Sequence, residues 1–220
     1  MIKYDFENVY PPSEDTYLII DYFKRKLSQT HFDGLYLSKL KNILDLGTGT
    51  GILAIFFQLI ISQNMNFKAN IVASDILEEA INCAKENETL NKIQNKIQFI
   101  RSEMFNSFPE NLRHVFNIIV FNPPYLPSAQ IINNDNRKNI DSSWNGGFTG
   151  FDVLIDFLKK VKYYLNLEDQ HYVYFVSSSR TKLPILYKQI EKLGFKNEIV
   201  SKKHVFFEDI VLNRSIYTRS

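Results

Sequence analysis

A glycine-rich turn between two apolar runs constrains the fold more than any other feature of this chain. Alternate glycines at residues 47–51 follow a strand-like run at 43–46 and precede a helix-like run at 52–57. Glycine adopts positive φ without steric cost and lets a ligand approach the backbone closely. The start of the following helix adds free N–H groups and a positive dipole end. The pattern therefore predicts the strand, ligand-binding turn and helix that open an α/β sheet.

Two aspartates beside this turn indicate what it binds. Asp45 directly precedes the glycines, where a carboxylate could hold an ammonium group and would repel a phosphate. Asp75 ends the next strand-like run, at 71–75, where doubly wound sheets place a carboxylate on a ribose diol. The spacing G-x-G-x-G is not the G-x-G-x-x-G of dinucleotide sites, and no Gly-Lys-Ser/Thr follows it. The pocket is predicted to bind S-adenosylmethionine. For Asp75, an N-cap of the next helix is the alternative.

A second motif, Asn122-Pro123-Pro124-Tyr125, follows the apolar run at 115–121. The Asn122 side-chain oxygen and the Pro123 carbonyl could each accept one N–H of a planar –NH2 group. Two prolines stiffen the turn, so both acceptors would be held in place before the substrate arrives. Tyr125 offers a flat face to a planar amide or base. A Pro-Pro turn that merely ends a strand is the alternative.

Composition narrows the classes of protein to which the chain could belong. The chain has 220 residues, 45% hydrophobic and 23% charged, which suits one domain with a sizeable core. Its net charge of +2 neither requires nor excludes nucleic acid. The single cysteine excludes an internal disulfide, and the four isolated histidines lack metal-ligand spacing, so no metal is expected. No run is long enough to span a bilayer, and the N-terminus does not resemble a signal peptide.

Strand-like and helix-like runs alternate along the chain. This alternation predicts an α/β fold with a seven-stranded, mostly parallel sheet, one antiparallel strand and helices on both faces. We expect one domain over residues 1–220, with the N-terminal helix 13–27, capped by Ser13, packed on it. Residues 28–39 are predicted to be a polar connection, and residues 126–147 a binding loop or lid. The remaining helices are expected at 50–63, 77–90, 150–165 and 181–193, and the strands at 43–46, 69–74, 97–100, 115–121, 172–176, 195–202 and 204–217.

Together, residues 45–51, Asp75 and residues 122–125 resemble class I S-adenosylmethionine-dependent methyltransferases that act on planar nitrogen. Residues 9–17 are similar to the opening of the short HemK-type methyltransferases of archaea and eukaryotes. Residues 144–150, which begin Trp-Asn-Gly-Gly, resemble the Trp-x-Gly-Gly segment of that group. The resemblance runs nearly end to end and implies the Rossmann-like class I methyltransferase fold.

The resemblance also implies roles for individual residues. Glu103 stands where the family usually has Asp beside the adenine, so this contact departs from the pattern. Asn122, Pro123 and Tyr125 are the implied catalytic residues. The implied cofactor contacts are Thr16, Asp45, Gly47, Thr48, Gly49, Gly51, Asp75, Glu103, Met104 and Asn122. The implied substrate contacts are Asn122, Pro123, Pro124, Tyr125 and Trp144.

By resemblance, the protein would methylate the glutamine of the Gly-Gly-Gln motif in a class 1 release factor, in the cytoplasm. A small zinc-ribbon activator is the implied partner, and the edge strand at 97–100 could pair with it. Alternatively, that strand faces only its own helices. Exocyclic amines of adenine or guanine in RNA or DNA are the alternative substrates, although the basic pairs at 159–160 and 202–203 are explained as solvated faces. A non-catalytic scaffold is the third possibility.

Overall fold

The computed structural model describes residues 1–3, 8–92, 96–126 and 146–218. They contain nine strands and five α-helices. The strands are β1 (His31–Phe32), β2 (Leu35–Tyr36), β3 (Asn42–Leu46), β4 (Asn70–Asp75), β5 (Gln98–Arg101), β6 (Ile118–Phe121), β7 (Tyr172–Ser178), β8 (Phe195–Val205) and β9 (Glu208–Tyr217). The helices are α1 (Glu14–Lys26), α2 (Ile52–Gln63), α3 (Glu78–Asn91), α4 (Asp152–Val161) and α5 (Leu183–Lys192).

Seven of the strands form one sheet in the order β5-β4-β3-β6-β7-β9-β8. The first five are parallel to one another, and β9 is antiparallel to both β7 and β8. This confirms the predicted sheet with one antiparallel strand. It also places β5 at an edge, as expected. The last strand in the chain lies inside the sheet rather than at its edge.

Both faces of the sheet are covered, and β3 shows how. Its side chains alternate between faces with the period of two that a strand imposes. Ile43 packs in the cluster that contains buried residues of α1 and α2, whereas Leu44 packs in the cluster that contains residues of α4 and α5. Apolar side chains face both sides of this strand because a central parallel strand has no solvent-facing side.

The prediction of a polar connection at 28–39 was wrong. Residues Phe32, Leu35 and Leu37 are almost fully buried, and β1 and β2 form a small antiparallel hairpin. The Phe32 ring meets Phe23 of α1 edge-on, with centroids 5.1 Å apart. The turn between the strands is Asp33-Gly34, with positive φ at both residues. Asp-Gly is a strong hairpin signal, so the sequence contained the information.

Several boundaries also differ from expectation. Helix α4 ends at Val161 rather than 165, because the chain turns back so that Leu165 bridges to Phe116. Ser13 occupies the N-cap position of α1 but makes no side-chain capping hydrogen bond. The predicted loop at 126–147, including Trp144, lies largely outside the described residues. None of the described helices has the length and apolarity needed to cross a bilayer.

Candidate active site

The carboxyl ends of β3, β4 and β6 open into a cavity of about 530 Å³. This volume lies in the range of small-molecule sites. Its wall brings together residues that are far apart in the chain. Of the predicted site residues, those that line it are Thr16, Gly47, Thr48, Gly49, Asp75, Glu103, Met104, Asn122, Pro123, Pro124 and Tyr125. Asp45 and Gly51 do not line the cavity, and Trp144 lies outside the described residues.

The turn after β3 follows the course that the glycines predict. Gly47 and Gly49 have φ of 67° and 53°, values that favour glycine. The Gly49 N–H donates to Asp75 Oδ2 at 2.9 Å, and the Leu77 N–H donates to Asp75 Oδ1 at 3.0 Å. Asp75 therefore joins the turn to the start of α3. Leu77 rather than Asp75 occupies the N-cap position of that helix.

Burial raises the pKa of the Asp75 carboxyl, while its hydrogen bonds from the Leu77 and Gly49 N–H groups oppose the rise. Glu103 and Met104 lie on the same cavity wall. The Glu103 carboxylate is exposed, and its nearest described side-chain partner is the Asn106 amide at 3.5 Å. Its longer side chain therefore remains available to a ligand in the cavity.

Asp45 lies behind the glycine turn, where it is 1% exposed. Its Oδ2 accepts a hydrogen bond of 2.6 Å from the Thr48 hydroxyl and one of 3.1 Å from the Ala54 N–H. Burial raises the pKa of the Asp45 carboxyl to about 7, although both hydrogen bonds lower it. Asp45 is not among the residues that line the cavity, and its contact with a ligand ammonium group stays a prediction. Its hydrogen bonds tie the turn to the first turn of α2.

Gly51 ends the glycine turn and lies outside the cavity. It is the N-cap residue of α2, with φ of 81°. A Cβ at this position would lie 2.8 Å from the Ala84 Cβ of α3. The glycine is required because the two helices meet here, and its predicted contact with the cofactor stays a prediction.

The Asn122–Tyr125 corner follows β6 and lines the cavity with all four residues. Asn122 Oδ1 is buried and has no hydrogen-bond partner among the described residues. The Pro123 carbonyl accepts none of the hydrogen bonds found between described residues. A buried acceptor without a partner costs about 1–3 kcal/mol. The corner therefore holds acceptors that a ligand with N–H groups would satisfy.

Asp15 is a site residue that the sequence analysis missed. It lies in the first turn of α1, is 2% exposed and lines the cavity. Its Oδ2 accepts hydrogen bonds from the hydroxyls of Tyr125 at 3.1 Å and Tyr10 at 3.3 Å, and its Oδ1 accepts the Thr16 N–H at 2.6 Å. Burial first, and then the charge of Asp15, raise the pKa of both tyrosines, so both hydroxyls keep their protons.

Asp15 gave no separate signal in the sequence, because an acid in the first turn of a helix is explained by the helix dipole. Asp152 was missed in a similar way. It lines the cavity and holds the turn before α4, because its two carboxylate oxygens accept the Thr149 hydroxyl at 2.6 Å and the Thr149 N–H at 3.2 Å. Across the described ranges, no group of three potential ligands could hold a metal ion.

This strand order, with the glycine turn after the first parallel strand of the large sheet and an acid at the end of the second, defines a class I methyltransferase. Comparison of the sequence with known protein families specifies the family. The chain belongs to the methyltransferase small domain family, whose model matches residues 27–141.

Two relatives and one solved structure agree with this assignment. A putative protein N5-glutamine methyltransferase of Methanocaldococcus jannaschii is 31% identical over 93% of this chain and 89% of its own length. The eRF1 methyltransferase catalytic subunit of Schizosaccharomyces pombe is 29% identical over 90% of this chain and 85% of its own. The E. cuniculi Mtq2–Trm112 complex, responsible for methylation of eRF1, has a chain with a TM-score of 0.65 and 20% identity, covering 96% of this chain and all of that one. These findings confirm the resemblance to the short HemK-type group.

Proposed function

We propose that the protein transfers a methyl group from S-adenosylmethionine to the side-chain amide nitrogen of a glutamine, in the Gly-Gly-Gln motif of a class 1 release factor. The observation on which this depends is the buried Asn122 Oδ1, which has no hydrogen-bond partner among the described residues and belongs to a residue that lines a ligand-sized cavity. The relatives that match most of the chain are named as glutamine and eRF1 methyltransferases, which supports the same substrate.

The cavity wall suits the proposed cofactor. Asp75 presents a carboxylate for a ribose diol, and the Gly47 and Gly49 backbone leaves room for a ligand to approach. Glu103 can accept from an adenine amine. When bound, S-adenosylmethionine supplies an electrophilic methyl group on a sulfonium sulfur. Asp45 supports this site from behind, through the Thr48 and Ala54 hydrogen bonds.

The corner orients the substrate. Asn122 Oδ1 would accept one amide N–H of the glutamine, and the Pro123 carbonyl would accept the other. The Tyr125 ring would pack on the amide plane, and it is held because its hydroxyl donates to Asp15. An amide nitrogen is a poor nucleophile, since its lone pair is delocalised into the carbonyl. Two fixed acceptors direct that nitrogen and stabilise the positive charge that develops on it.

Positioning of this kind can lower a barrier by roughly 7–11 kcal/mol. The described residues therefore do not need to include a general base that acts before the attack. The proton leaves the methylated amide afterwards, to solvent. Asp15 is a positioning residue in this scheme, because it accepts the hydrogen bond that holds the Tyr125 ring.

The proposed function is tested with labelled cofactor and three substrates. Purified release factor should accept label, a release factor with the motif glutamine replaced by alanine should not, and total RNA should not. Label on the alanine variant would contradict the position of methylation. Label on RNA alone would instead support the base-amine alternative, which none of the relatives described above favours.

We also propose a small zinc-ribbon activator as partner, with the outer edge of β5 as its binding surface. Among the described residues β5 pairs only with β4, so the other edge is open to a further strand. The similar E. cuniculi structure is itself a complex of two proteins. A release factor as substrate would place the reaction in the cytoplasm. Full activity of the chain alone, without gain from an added activator, would contradict the proposed partner.

A further inference from the structure

Two phenylalanines at the tip of the β8–β9 hairpin are among the most exposed apolar side chains described. Phe206 is 86% exposed and Phe207 is 88% exposed. They form a two-residue turn, since Val205 is paired with Glu208. Phe206 has φ of 51°, a conformation that bulky residues rarely adopt. Turns of this kind favour Asn and Gly, so turn formation does not explain two phenylalanines here.

The turn lies at the same end of the sheet as the cavity. Strand β7 is parallel to β6, and its end, Ser178, pairs with Ile210 near the start of β9. The turn at 206–207 therefore projects beyond the carboxyl ends of the parallel strands. The hairpin also contacts the start of α1, because the Lys203 ammonium pairs with Glu14, the residue before Asp15.

Charge around the turn indicates the kind of partner. Lys202 pairs with Asp209 at 2.7 Å, Lys203 pairs with Glu14, and Arg180 lies 3.9 Å from Glu208. Each of these cations already has a carboxylate partner, whereas a nucleic-acid surface requires cations that are free for phosphates. The turn therefore presents an apolar tip in a charge-balanced setting, which suits a folded protein surface.

We infer that Phe206 and Phe207 form a docking site for an apolar surface patch of the folded protein substrate, next to the residue that enters the cavity. This inference rests on the proposed function. A protein whose glutamine reaches the Asn122 corner must lie across this end of the sheet, where the parallel strands finish. The two rings are then positioned to contact it beyond the reacting segment, where they contribute to binding of the whole protein but not of a short peptide.

The test compares a Phe206→Asn/Phe207→Ser variant with the wild type. Asn tolerates the positive φ at position 206, so the turn is retained. The matched control is Met65→Ser, which removes an apolar side chain that is 93% exposed. Met65 lies in the connection between α2 and β4, at the opposite end of the sheet from the cavity. Methyl transfer is measured with intact release factor and with a short Gly-Gly-Gln peptide, and cofactor affinity is measured by calorimetry.

We expect kcat/KM for the intact factor to fall by about tenfold or more in the double variant, mainly through KM. Activity on the peptide, cofactor affinity and the control should stay at wild-type values. Equal loss on peptide and protein, or no loss on either, would overturn the inference. So would a change in the sedimentation of the free enzyme, which would assign the turn to self-association. Failure of the wild type to methylate either substrate would refute the proposed function itself, before any variant is compared.

Discussion

The hydroxyl of Tyr125 donates a 3.1 Å hydrogen bond to Oδ2 of Asp15, across 110 positions of the chain. This bond connects the substrate corner after β6 to the first turn of α1. It is buried at both ends, because Asp15 is 2% exposed and Tyr125 is 7% exposed. The orientation of the Tyr125 ring therefore depends on the packing of the N-terminal helix, far from the motif that contains it.

Tyr125→Phe removes this donor and keeps the ring. A buried hydrogen bond to a charged group contributes about 1.5–3 kcal/mol, and the ring becomes free to reorient, so kcat should fall by about tenfold while cofactor affinity is unchanged. Tyr10→Phe is the matched control, because it removes a second tyrosine hydroxyl that donates to Asp15. Steady-state kinetics and thermal unfolding of both variants check the expectation. Equal kcat in the two variants would show that the bond serves stability alone.

Asn122→Ala should abolish detectable methyl transfer. The variant loses one of the two proposed acceptors and leaves a substrate N–H without a partner. The dissociation constant for S-adenosylmethionine should change by less than about threefold, since Asp75 and the glycine turn are untouched. Single-turnover assays and calorimetry provide the two readouts. Transfer at the wild-type rate would remove Asn122 from the mechanism.

Asp75→Ala should weaken cofactor binding by about tenfold or more, because it removes the proposed ribose acceptor. It also leaves the Gly49 and Leu77 N–H groups without their acceptor, so stability should fall as well. Asp75→Asn retains an acceptor oxygen and separates the two effects. Calorimetric titration and urea unfolding of both variants measure them. A dissociation constant that stays at the wild-type value in the alanine variant would contradict the ribose contact.

Asp45 predicts a pH dependence of stability. The carboxyl has an ordinary pKa of 3.8 and a folded-state pKa of about 7, raised by burial. The folded state therefore binds the extra proton, and this stabilising contribution is complete below about pH 4 and is lost as the pH rises through about 7. The free energy of unfolding should fall by up to about 4 kcal/mol over that range, and the fall should be smaller in Asp45→Asn. Urea unfolding at about pH 4 and about pH 8.5 measures both. Parallel pH profiles for the two proteins would contradict the assignment.

Gly51→Ala should destabilise the protein more than Gly34→Ala. Both glycines have positive φ, 81° and 87°, so each substitution introduces backbone strain of about 1–2 kcal/mol. Only at Gly51 would the new Cβ meet another atom, the Ala84 Cβ at 2.8 Å, whereas nothing lies within 4 Å at Gly34. The free energy of unfolding should therefore fall by about 1–3 kcal/mol more in Gly51→Ala than in Gly34→Ala. Ala84→Gly should cost less stability in the Gly51→Ala background than in the wild type, because it removes the 2.8 Å contact while its helix cost of about 1 kcal/mol is common to both. Equal costs in the two backgrounds would place the excess elsewhere.

Local patterns in the sequence were sufficient for the elements of the sheet and for the residues of the two motifs. Strand β3 and the turn after it follow from an apolar run and from glycines whose conformational range is a local property. The Asn122–Tyr125 corner follows from two prolines that stiffen the backbone. The hairpin at residues 31–36 could have been predicted too, because Asp33-Gly34 is a local signal.

The tertiary structure alone decided which side of the glycine turn each residue occupies. Asp45 and Asp75 look alike in sequence, since each is one of the last two residues of a strand, but packing of α2 buries Asp45 behind the turn while Asp75 lines the cavity. Asp15 joined the site for the same reason, because docking of α1 brings its carboxylate to Tyr125. Periodicity and propensity act over a few residues, whereas burial and hydrogen bonding between distant segments depend on how helices and strands pack together.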